Sequence, residues 1–84
     1  MKVKITKEGE AYFHDLMRGR ERGHQQTADQ YHDYVILRAL RYNGPKEDSS
    51  LPYMTEEKNR EAPKYIRERL RGLFEAGYVD TVEL

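Results

Sequence analysis

"PKYIRERLRGLFEAGYVDTVEL", Pro63 to Leu84, is the stretch that decides the fold. Pro63 suits the first turn of a helix, where its missing N–H has no partner to lose. The run behind it predicts a helix over 63–76. At about 100° per residue, Ile66, Leu70, Leu73 and Gly77 share one narrow arc. Lys64, Arg67 and Arg71 fall together on the opposite side, with Glu68 and Glu75 beside them. Gly77 is placed as the left-handed residue that stops the helix. Tyr78-Val79 then leads into a strand over 78–83.

That strand needs a partner, because its backbone donors and acceptors cannot stay unpaired. Lys2 to Ile5, "KVKI", is the other segment with strand character, alternating polar and apolar residues. The first and last strands are therefore expected to pair antiparallel as a two-stranded ribbon. Exchange of the strand between two copies is the rival arrangement.

Between these ends the sequence predicts further helices. Thr6 fits an N-cap for a helix over 7–18, whose apolar positions Ala11, Tyr12, Leu16 and Met17 recur at helical spacing. Gly9 in its first turn weakens it by up to about 1 kcal/mol relative to alanine. "RGRERGHQQ", Arg18 to Gln26, carries two glycines and reads as a basic flexible linker over 19–26. Thr27-Ala28-Asp29-Gln30 is a capping-box signature opening a helix over 28–42. Asp33, Ile36, Leu37 and Leu40 lie on one stripe of it, the three apolar members facing a core. Asn43-Gly44-Pro45 stops it. "KEDSSLP" reads as a loop, and Thr55 caps a short helix over 55–60.

The totals bound what such a chain does. With 84 residues it is one domain, 1–84, able to bury about 60% of its unfolded surface. Lysine plus arginine and aspartate plus glutamate both number 15, so a basic surface has to come from distribution, not from net charge. No apolar run approaches the roughly 18 residues of a membrane span, and the N-terminus has no apolar signal core; a cytoplasmic protein with no membrane partner is the expectation. Without cysteine there is no disulfide or thiolate metal site. His14, His24 and His32 lack metal-ligand spacing and read as surface residues. Ser49 and Ser50 have no base nearby in sequence, and no phosphate-cradling glycine motif occurs. No catalytic residue, metal or cofactor is expected, and the chain is not read as an enzyme.

The order of helices and strands, and several short motifs, resemble a known family. "DYVILRALRYNGP", Asp33 to Pro45, is similar to the first helix of archaeal and phage-repressor-like winged helix-turn-helix proteins: an acid, an Ile-Leu pair, a leucine, then a Gly-Pro turn. "KYIRERLRGLFEAGYV", Lys64 to Val79, resembles their third helix through Tyr65-Ile66, Arg69-Leu70, Leu73 and the Ala76-Gly77-Tyr78-Val79 exit. "VKITKEGEAYF", Val3 to Phe13, resembles the strand-and-helix segment that such proteins carry after the wing. Here it comes first, so the chain looks like a circularly permuted winged helix. The likeness covers residues 3–17 and 33–82.

The resemblance implies an α+β, mostly helical fold: a winged helix-turn-helix with a small two-stranded ribbon. It implies binding of double-stranded DNA, as a transcription regulator using the last helix for recognition. Lys64, Arg67, Glu68 and Arg71 would be its contacts, with Tyr65 on the flank, Arg60 just before the helix, and Lys2 and Lys4 on the ribbon. Each charge also has a plainer role. Lys64–Glu68 and Arg71–Glu75 are ordinary i,i+4 pairs on a solvated face, and lysine on an edge strand guards against strand-to-strand aggregation. Tyr31, Tyr34 and Tyr42 form a broader surface than a small core consumes. Packing against the first helix accounts for part of it and a homodimer for the rest. A winged-helix protein-interaction module without nucleic-acid binding is therefore the alternative.

Overall fold

Lys2, Val3, Lys4 and Ile5 alternate outward and inward, and the inward Val3 is fully buried. A strand with one buried face has its register fixed, since a one-residue slip would turn the lysines into the core. The computed structural model describes residues 1–53 and 62–82. In it β1 (Lys2–Ile5) pairs antiparallel with the strand Val79–Thr81, Val3 opposite Thr81 and Ile5 opposite Val79. The two ends meet within one chain, as the ribbon required.

The sheet has one strand more than the sequence predicts. Lys46–Glu47 forms β2, antiparallel to the other side of β1, and Val79–Thr81 becomes β3, giving the order β2-β1-β3. Two polar residues behind Gly44-Pro45 offer no alternating pattern, and Lys and Glu are poor strand formers, so this segment reads as loop until its partner is placed. β1 is thus the central strand, and the edge-guard role for Lys2 and Lys4 does not hold.

Among the described residues there are three α-helices, α1 (Lys7–Glu21), α2 (Ala28–Asn43) and α3 (Ala62–Glu75), with α2 packed on β1 and α3 on β3. A 310 turn over Asp48–Tyr53 follows β2 and buries Leu51. The expected helix over 55–60 lies outside the described residues. In α2, Ile36, Leu37 and Leu40 are buried, and in α3 Ile66, Leu70 and Leu73, the stripes expected of both. In α1 Gly9, Phe13 and Leu16 are buried and Tyr12 and Met17 pack half-buried against the core, so of the expected positions only Ala11 is exposed, and Phe13 joins the stripe.

The helix ends follow their capping chemistry. Thr27 accepts from the Gln30 amide while the Gln30 side chain accepts from the Thr27 amide, a complete capping box. Gly77, at φ 80°, closes α3 with Tyr78 N–H on the Leu73 carbonyl and Gly77 N–H on that of Phe74. The same paired bonds recur at Gly23, where His24 N–H reaches the Gly19 carbonyl and Gly23 N–H that of Arg20. α1 therefore runs to Glu21, and Gly19, Arg20 and Glu21 are helical rather than linker.

Thr6 joins three elements at one corner. Its hydroxyl accepts from Gly9 N–H at 3.0 Å and donates to the Gly77 carbonyl at 2.7 Å, and its amide donates to the Tyr78 carbonyl at 3.0 Å. The first turn of α1 is thereby pressed onto the exit of α3. A Cβ on Gly9 would collide with the Tyr78 carbonyl oxygen and lie 2.9 Å from Ile5 Cγ1. Glycine is required there by close approach. Gly9→Ala should therefore lose about 2 kcal/mol of stability despite its better helix propensity. Gly19→Ala, whose nearest neighbour is His24 Cβ at 3.9 Å, should gain up to about 1 kcal/mol. Urea unfolding of the two variants checks the opposite signs.

Candidate nucleic-acid interface

α3 is amphipathic enough that its inner side fixes its outer one. With Ile66, Leu70 and Leu73 packed inward against α2 and the 310 turn, Lys64, Arg67, Glu68 and Arg71 are exposed together along the other side. Among the described residues, none of these four makes an ion pair within 4.0 Å, so the expected Lys64–Glu68 and Arg71–Glu75 pairs do not form. Arg67 and Arg71, one turn apart, repel each other slightly in the free protein.

The remaining cation of α3 turns the other way. Arg69 grips Asp33 of α2 with both prongs: Nε donates to Oδ1 and Nη2 to Oδ2, each at 2.8 Å. The Tyr12 hydroxyl of α1 donates to the same Oδ2 at 2.7 Å. Asp33 has no solvent exposure, and a buried carboxylate survives only with such partners. One carboxylate thus ties all three helices and sets the rotation of α3 about its axis. The bond to Asp33 holds the Arg69 guanidinium more firmly protonated than usual. Burial first, then the bond to Asp33, raises the Tyr12 phenol above its ordinary range.

The other expected contacts are scattered. Tyr65 is 41% exposed, and its ring stacks on that of His32 at 6.1 Å, so it belongs to the seam between α2 and α3. His32 is itself buried rather than superficial, with its ring also edge-on to Tyr31 at 5.7 Å. Lys2 and Lys4 are exposed on the outer face of the sheet, but each stands opposite an acid, Glu47 and Asp80 respectively. Arg60 lies outside the described residues. Arg20 is held by Gln26 at 3.2 Å and lies over the Tyr34 ring at 4.6 Å, so it is placed by α1 and not by a linker.

No family model, curated protein or solved structure matches this chain. The site rests on its own geometry. Sequence reasoning found the outer face of α3 from periodicity and missed the Asp33–Arg69 bridge beneath it. The signal was present: an acid on the apolar stripe of α2 demands a buried cation or hydroxyl nearby.

The raised Tyr12 phenol has a defined sign. Its folded pKa exceeds the unfolded value of about 10, so its contribution is complete below that pH and is lost as pH rises above it. Tyr12→Phe should cost about 1.5–3 kcal/mol at pH 7, where a hydrogen bond to a buried charge is removed. The gap between the variant and the parent should narrow above pH ~10. Urea unfolding at pH 7 and at about pH 10.5 measures both.

Proposed function

We propose that this chain is a small DNA-binding protein of the winged-helix class that meets double-stranded DNA with the outer face of α3, in the manner of a transcription regulator. The observation that carries the reading is the division of α3's cations. Arg69 is drawn inward by Asp33, while Lys64, Arg67 and Arg71 line the exposed side without ion-pair partners among the described residues. Exposed arginines spaced one helical turn apart suit a polyanion, because each phosphate they neutralise releases condensed counterions. From such a helix an arginine can also pair bidentately with guanine.

The sheet supports the winged-helix order. Val82 N–H donates to the Lys2 carbonyl at 3.0 Å, so the described end of β3 lies beside the beginning of β1. A hairpin turn from there would run β3 into β1 and then α1 without moving any element. That restores the order in which the resembling family carries its strand-and-helix segment after the third helix. Lys2 and Lys4 would then be wing residues on the central strand.

Titration with mixed-sequence duplex at low salt tests the proposal. Amide resonances from Lys64 to Arg71 should shift on binding. In the Arg67→Ala/Arg71→Ala protein the slope of log affinity against log salt should fall by about 2, roughly one for each phosphate left without its arginine. Stability should change by less than about 0.5 kcal/mol for each exposed side chain, since neither makes a structural contact. Unshifted resonances along this helix, or a full salt slope in the double variant, would overturn the assignment.

A further inference from the structure

On the flank of α2 away from α3, the first two helices enclose an open groove of about 840 Å3. Its lining mixes apolar and polar surface: Phe13, Met17, Val35 and Ala39 lie along it, with Tyr31, Tyr34 and Tyr42 and the polar ends of Arg20, Arg38 and Asn43. Tyr42 is 64% exposed, the most exposed large apolar side chain described. Among the described residues, the only charged ones lining the groove are Arg20 and Arg38. Arg38 is exposed and makes no ion pair with a described residue.

We propose that this groove is the docking site for an acidic amphipathic helix of a partner protein, which sets its apolar side on the apolar and tyrosine side chains and its carboxylates on Arg20 and Arg38. Charge selects this occupant. A second copy docking through the same patch across a twofold axis would set the two arginines against their own counterparts with no carboxylate in the groove to separate them. A single-stranded nucleic acid would need free aromatic faces for its bases, but the three tyrosine rings are engaged. Tyr34 is stacked with Phe13 at 5.6 Å under the Arg20 guanidinium, Tyr42 is edge-on to Phe13 at 6.1 Å with the Arg41 guanidinium 5.9 Å over it, and Tyr31 packs against His32 at 5.7 Å. Length agrees as well. The lining residues of α2 run from Tyr31 to Asn43, about 18 Å of helix, which matches a partner helix of roughly three turns anchored at i, i+3 or i+4, and i+7.

The full chain is titrated into three fluorescein-labelled peptides of about 14 residues. One carries leucine and phenylalanine at i, i+3 and i+7 with glutamates on its flanks, the second has the same composition in scrambled order, and the third replaces glutamate by lysine. The first should bind and shift amide resonances of α1 and α2 around the groove. The other two should bind at least about tenfold more weakly, the margin expected when a charge or apolar match is removed. Arg38→Glu and Tyr42→Ser, both on exposed side chains, should each weaken the first peptide by about tenfold while thermal melting is retained. Equal binding of the scrambled peptide, shifts confined to α3, or competition by oligo-dT at the same residues would overturn the proposal. So would sedimentation showing a dimer that Tyr42→Ser dissociates.

Discussion

A carboxylate without access to water sits at the centre of this small protein, and the arrangement of the three helices follows from satisfying it. An unpaired charge in that position would cost several kcal/mol, more than most single contacts in a domain of this size return. Asp33 is answered by two bonds from Arg69 and one from Tyr12, so each helix contributes one member. The geometry of the guanidinium fork permits only a narrow range of α3 rotations. The face that α3 shows to solvent is a consequence of that buried bond. Were Arg69 replaced by an apolar residue, Asp33 would lose its charge partner and α3 its rotational reference together.

A chain of zero formal charge can still carry locally cationic surfaces, because its charges are unevenly placed. Among the described residues, more carboxylates than cations are engaged in ion pairs, Asp33 in the interior and the others at the surface. Glu10, Asp29, Asp33, Glu47 and Asp48 are all held in ion pairs, and only Arg41, Arg69 and the amino terminus hold them. Exposed lysines and arginines are left in excess of their partners. Balance in the composition therefore says little about balance at the surface, where a ligand would meet the protein.

What the sequence revealed and what it concealed divide along the range of the interactions. Caps and stops are local: Thr6, the Thr27–Gln30 box, Gly44 and Gly77 act within a few residues of themselves and were legible. The stripes of α2 and α3 were legible because each keeps one period throughout. Gly23 uses the same chemistry as Gly77, but "RGRERG" has no apolar residue to show that the helix persists to it. The features that escaped depend on residues far away in sequence. β2 is two polar residues until β1 stands beside it. Gly9 looks like a weak helix position until the Tyr78 carbonyl is brought against it, and Asp33 is an anomaly on an apolar stripe until Arg69 arrives. The outer face of α3 was found because it is the complement of a regular stripe; the groove was legible only as its Tyr31, Tyr34 and Tyr42 wall, because the other wall belongs to α1.

Helical geometry also decides whether the two surfaces compete. Asp33, Ile36, Leu37 and Leu40 point from α2 toward α3, and at about 100° per residue Tyr31, Val35, Arg38 and Tyr42 leave the helix on nearly the opposite side. α2 therefore separates the groove from the exposed side of α3, and an occupant of one need not cover the other. Tyr12 and Phe13, adjacent in α1, divide in the same way: Tyr12 reaches the Asp33 bridge and Phe13 lines the groove and stacks on Tyr34. A helix seated in the groove would press on Phe13 and so on the turn of α1 that holds the bridge. Coupling between the surfaces, if the protein uses both, would have to pass through that pair of residues, because they are where the two packing environments meet on one helix.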